Sequence, residues 1–125
     1  MKWRRPLSYS ETAMSSTIKK RVTRALKRAK SDTQEIKMRI GECDLYISDG
    51  YGERAYESTY SWFYWIEVTA QSYSGEKTFA VYERYEREDG SSVQLEWLND
   101  EDIELIASAA VDAIAEANYK KGIHR

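Results

Sequence analysis

The residues able to do chemistry in this 125-residue chain are few and poorly placed for catalysis. The one histidine, His124, is the penultimate residue, where chain ends fray, and no Ser–His or Cys–His pair can be built without it. The one cysteine, Cys43, stands between Glu42 and Asp44 in a segment that reads as a turn. Neighbouring carboxylates raise a thiol's pKa, the wrong direction for a nucleophile. One Cys and one His supply no zinc set. "SDGYGE" lacks the P-loop lysine and the dinucleotide fingerprint, and reads as a loop. No catalytic residue, no metal and no cofactor are expected, and the chain reads as a non-enzyme.

Charge and aromatic surface remain. Residues 1–40 hold 12 Lys/Arg against three acids, net +9, while residues 41–125 hold seven against 18, net −11. Such polarity suits charged partners, or two halves that neutralise each other. Lys19, Lys20, Arg21, Arg24, Lys27 and Arg28 crowd one short segment and are candidates for nucleic-acid phosphates. Glu86, Glu88, Asp89, Asp100, Glu101 and Asp102 form an acidic pole that suits a protein's basic groove. The stretch "YSWFYWIEV", Tyr60 to Val68, places five aromatic rings in nine positions.

These residues need elements to hold them. Pro6 argues for an irregular arm over 1–14. Ser15 or Ser16 can cap a helix running to about Lys30, with Ile18, Val22, Ala25, Leu26 and Ala29 on one face and the cations around the rest. Alternating patterns predict five strands within 34–98: "IKMRI", "DLYIS", a long strand over about 55–71, "TFAVYERYE" and "VQLEW". Short turns between them, one at Asp89-Gly90, favour an antiparallel meander. A second helix is predicted over 100–121, capped by Asn99 or Asp100 and ended by Gly122. The expectation is one α+β domain over 1–125: an N-terminal amphipathic helix, a five-stranded antiparallel sheet and a C-terminal helix, both helices packed on the sheet.

Alternation also sorts the strands' faces. Ile36, Met38, Ile40, Leu45, Ile47, Tyr60, Trp62, Tyr64, Ile66, Val68, Phe79, Val81, Val93, Leu95 and Trp97 form the expected core. The other face carries Tyr46, Phe63, Trp65, Tyr82 and Arg84, a candidate partner-binding surface or homodimer contact. Four clustered large aromatics could present roughly 600 Å² or more, at or beyond the largest apolar patch that a monomer leaves bare.

A single cysteine excludes an intrachain disulfide and suits a reducing compartment. No run approaches the roughly 20 apolar residues of a membrane span, and "MKWRRPLSYSETAMSS" has no apolar secretory core. A cytoplasmic location and no membrane contact are expected. In size and charge style, though in no matching motif, the chain resembles the small inhibitors and adaptors encoded by phages and mobile elements, anti-CRISPR proteins among them. That resemblance implies a non-catalytic inhibitor that occludes a bacterial nucleic-acid-handling protein or complex, in the host cytoplasm. The alternative is a nucleic-acid-binding accessory protein that uses the basic first helix.

Overall fold

The computed structural model describes residues 9–56 and 59–123, with side chains described over 15–55 and 59–122. The order is α1 (Tyr9–Lys27), β1 (Glu35–Ile40), β2 (Cys43–Tyr56), β3 (Thr59–Ser74), β4 (Lys77–Tyr85), a short 3₁₀ turn at Leu95–Trp97, and α2 (Asp100–Ile123). The strands form one antiparallel sheet in the order β1-β2-β3-β4. The described residues thus form an α+β fold with two helices and four strands rather than five.

Three boundaries differ from the sequence expectation, each for a local reason. Helix α1 begins at Tyr9, inside the stretch expected to be irregular. Nothing between Tyr9 and Lys27 breaks a helix, so Ser15 and Ser16 are read through instead of capping it. It ends at Lys27, earlier than Lys30: the Arg28 N–H is shared between the Arg24 and Ala25 carbonyls, and the Ala29 N–H reaches back three residues to Leu26. These tightened bonds are the usual end of an α-helix. Helix α2 runs past Gly122 to Ile123, because nothing there requires a left-handed residue.

The fifth strand is absent. After Tyr85 the chain leaves the sheet, and Ser92 and Val93 return to the edge of β3: the Tyr64 N–H donates to Ser92 Oγ at 3.1 Å and the Val93 N–H to the Tyr64 carbonyl at 3.2 Å. Val93 and Leu95 are buried as expected, but as plugs in the end of the core. The Leu95 N–H donates to Asp49 Oδ1 at 2.8 Å, which fixes the segment. Trp97, assigned to the core by alternation, is 62% exposed.

"SDGYGE" is strand, not loop. Gly50 and Gly52 lie in β2 directly opposite Trp65 and Phe63. Glycine inside a strand marks a close approach, and here the Trp65 indole lies over both. A Cβ at Gly50 would stand 2.2 Å from Trp65 Nε1.

Both helices cover the same side of the sheet. One core joins Val22 and Leu26 of α1, Ile40, Cys43, Leu45, Ile47, Ile66, Val68, Ala70 and Val81 of the strands, and Ile103, Ile106, Ala107, Ala110, Ala113, Ile114 and Ala117 of α2. The alanines let α2 approach β3 and β4 closely. Ser72 Oγ, buried in β3, is hydrogen-bonded to Asn118 of α2 at 2.8 Å. No helix among the described residues is long and apolar enough to cross a membrane.

Candidate functional site

The sheet has two unequal parts. β1 pairs with β2 only as far as Ser48, and β4 pairs with β3 only from Ile66 onward. Beyond those points β2 and β3 continue without a flanking strand, in unbroken register from Gly50↔Trp65 to Tyr56↔Thr59, with Ser92 and Val93 touching the β3 edge at Tyr64. Seven residue pairs make a two-stranded ribbon extending roughly 24 Å past the four-stranded sheet at about 3.4 Å per residue.

Tyr46, Phe63, Trp65, Tyr82 and Arg84 do fall on one face, the side away from the helices. They do not leave their rings bare. Phe63 is only 6% exposed, with the Arg54 guanidinium 3.5 Å from its ring centroid. Arg84 stacks on Trp65 at 3.8 Å, and Phe63 and Trp65 contact each other at 5.9 Å. Trp65 Nε1 donates to Glu67 Oε1 at 3.1 Å, and the Tyr82 hydroxyl donates to the same oxygen at 3.2 Å. Lys37 lies over Tyr46 at 5.5 Å. Arg54 is held in turn by Glu86 at 3.2 Å and the Gly90 carbonyl at 3.2 Å. Of the four aromatics only Tyr82, 52% exposed, is largely bare, so the sequence-based patch area is corrected downward. At the other end of this face Asp44 accepts from Arg39 at 3.0 Å and from the Tyr73 hydroxyl at 3.0 Å. Those two bonds, the Arg39 one foremost, hold the Asp44 carboxyl below its ordinary pKa.

The bare aromatics are on the opposite side. Tyr60 and Trp62, assigned to the core by alternation, are 73% and 61% exposed, and Tyr51 is 64% exposed. Their alternation is right: they share the helix side with Ile66 and Val68. The helices do not cover the ribbon. Tyr51 meets Trp62 edge to face at 5.7 Å and Tyr64 at 6.1 Å, so the three rings form one cross-strand cluster. Tyr51 was missed because it sits in "SDGYGE".

The acidic pole divides. Asp102 is 1% exposed and belongs to the interior. It accepts from the Tyr85 hydroxyl at 2.6 Å and from Arg87 Nη2 at 2.8 Å. It also exchanges backbone-to-side-chain bonds with Asn99, 3.0 and 2.7 Å, as the reciprocal cap of α2. Burial pushes the Asp102 carboxyl up, but the hydrogen bonds from Arg87, Tyr85 and Asn99 outweigh it and hold it below its usual value. Burial and the bond to Asp102 push the Tyr85 phenol well up. Arg87 also donates to the carbonyls of Ser92 and Trp97, tying the 86–99 segment to α2. Asp102 is therefore unavailable to a partner. Glu86 is paired with Arg54, and Asp89 holds its turn by accepting from the Ser91 N–H and hydroxyl at 2.9 and 2.6 Å. Glu88, Asp100 and Glu101 are exposed and have no ion pair among the described residues.

The basic helix divides similarly. Lys19 is paired with Glu104 of α2, and Arg21 donates to the Arg39 carbonyl at 3.3 Å. Lys20, Arg24, Lys27 and Arg28 are exposed and line an open groove with Ser16 and Thr23. Cys43 opens β2 and is fully buried; burial foremost pushes its thiol up. His124 lies outside the described residues. Among the described residues no three His, Cys, Asp or Glu side chains gather to hold a metal ion. Compared with protein-family models, curated proteins and solved structures, the chain matches none.

Proposed function

We propose that the protein is a non-catalytic interaction module that grips a protein partner with the helix-side face of its β2–β3 ribbon. One observation carries this: Tyr51, Tyr60 and Trp62 lie on one face of a projecting ribbon and are each more than 60% exposed. Large aromatics bury about 150–250 Å² each when covered, so three that are about two-thirds bare offer roughly 300–500 Å², the size of a functional patch. Trp and Tyr are the side chains that dominate interface energetics. The underside is stiffened by the Arg54–Phe63 and Trp65–Arg84 stacks, which supports a presented surface rather than a loose arm.

The partner class proposed is a bacterial nucleic-acid-handling protein or complex, which the module occludes as small phage- and mobile-element-encoded inhibitors do. Its support is the charge split: Glu88, Asp100 and Glu101 are exposed and without an ion pair among the described residues, and the α1 cations lie on a separate element. The test is affinity capture from a bacterial lysate with the native protein and a Tyr51→Ser/Tyr60→Ser/Trp62→Ser variant, each shown by its melting curve to be folded. A protein retained by the native chain and lost with the variant is the expected result. Equal retention by both sinks the proposal. Sedimentation of the free protein reads self-association, and a dimer dissolved by the same triple substitution would assign the patch to a second copy instead.

A further inference from the structure

We infer that the outward face of α1 is a second binding surface, independent of the ribbon, and that its ligand is the phosphate backbone of duplex nucleic acid. The fold sorts the helix's cations into tethered and untethered sets. Lys19 is paired with Glu104, and Arg21 is tethered to the Arg39 carbonyl. The apolar face is sealed against α2 and the sheet, with Val22 and Leu26 at 0% and 2% exposure. Lys20, Arg24, Lys27 and Arg28 have no carboxylate partner among the described residues and share an open groove.

Their spacing fits a phosphate backbone. From Lys20 to Arg28 the helix advances about 12 Å at 1.5 Å per residue. Duplex DNA carries one charge about every 1.7 Å of axis over both strands, so a row of this length has several phosphates within reach of long Lys and Arg side chains. The four cations without a carboxylate partner among the described residues can each meet one. Ser16 and Thr23 lie on this face, so a hydroxyl donor extends the row at one end and interrupts it between Lys20 and Arg24. The one acid lining the groove among the described residues, Glu104, is paired with Lys19. An anionic membrane fits less well, because the apolar residues that would enter it are buried in the core.

The test is fluorescence polarisation with a labelled 20-base-pair duplex DNA across a salt series. Four neutralised phosphates predict a log–log salt slope of about −3.6, or roughly 150-fold weaker binding between 50 and 200 mM salt. Lys20→Gln with Arg24→Gln should halve that slope to about −1.8, and Lys27→Gln with Arg28→Gln likewise. Lys19→Gln combined with Glu104→Gln, which removes the ion pair whole, and Arg21→Gln, tethered to the Arg39 carbonyl, should leave it unchanged. Melting curves confirm that each variant is folded. Absence of DNA binding at 50 mM salt, or equal slope loss in the Lys19 and Arg21 variants, overturns the inference. So does binding to phosphatidylserine vesicles through Lys20 and Arg24 without binding to DNA.

Discussion

Gly50 sits beneath the Trp65 indole, and replacing it with alanine tests how the ribbon's underside is built. The added Cβ would stand 2.2 Å from Trp65 Nε1, 2.7 Å from Cε2 and 2.8 Å from Glu67 Oε1. These are far inside contact distance, and the indole has little room to yield. Arg84 covers one face at 3.8 Å, and Phe63 abuts it at 5.9 Å. Overpacking of this kind costs about 1–3 kcal/mol. Displacing the indole also loses its hydrogen bond to Glu67, worth about 1 kcal/mol. Alanine's lower unfolded-state entropy returns about 0.4–1 kcal/mol. The net is a destabilisation of about 2 kcal/mol, readable by urea denaturation followed by tryptophan fluorescence. Gly52→Ala should cost less, because its Cβ would meet the far edge of the same indole, Trp65 Cη2 at 3.1 Å and Cζ3 at 3.4 Å. A double-mutant cycle isolates the cause: in a Trp65→Leu background the Gly50→Ala penalty should largely vanish. Gly50→Ala within about 0.5 kcal/mol of the native protein, the range of an ordinary surface change, would refute this packing of Trp65.

Two further predictions concern what is buried and what is not. Asp102→Ala strips the buried carboxylate from Arg87, whose side chain is 24% exposed, and should cost about 3 kcal/mol in chemical denaturation, the low end for a broken buried pair. Because the Asp102 carboxyl is held below its unfolded value, its stabilisation is present above the ordinary carboxylate pKa and lost as pH falls through the depressed one. Asp102→Asn should flatten that acid limb, and an unchanged pH–stability profile would count against the node. Trp62→Ser should cost no more than about 1 kcal/mol, the scale of a cross-strand aromatic pair, whereas Ile66→Ala, four residues along the same face, should cost about 2–5 kcal/mol. Equal losses would mean that the ribbon is covered.

The elements that packing alone dictates were legible in the sequence. Helix α2 with its apolar face, and the alternation in β1, β3 and β4, follow from side-chain period; the choice of Asn99 over Asp100 as the cap does not. The gathering of Tyr46, Phe63, Trp65, Tyr82 and Arg84 on one face follows too, since alternation fixes sides. Alternation does not fix coverage. The rule placed Tyr60 and Trp62 beside Ile66 and Val68, correctly, but made all four core. A comparison of lengths separates them: the 16 residues of β3 extend roughly 54 Å at about 3.4 Å each, whereas the 24 residues of α2 extend only about 36 Å. Part of the strand must outrun the helix. Gly50 and Gly52 read as loop punctuation in the sequence because their reason, an indole on the neighbouring strand, is not local. "VQLEW" has a strand's pattern, but the 86–99 segment is anchored by Arg87, Asp49 and Tyr64 instead of a ladder. The acidic pole likewise hid a structural member, since nothing in "NDEDIE" distinguishes buried Asp102 from exposed Asp100 and Glu101.

Photocrosslinking shows whether the ribbon's helix-side aromatics contact the partner. A benzophenone amino acid is placed singly at positions 60, 62 and 82, and the folded proteins are irradiated in a bacterial lysate. A discrete adduct of the same mass is expected from positions 60 and 62, and none from position 82, which is exposed on the opposite face. An adduct from position 82 with none from 60 or 62 would contradict that contact.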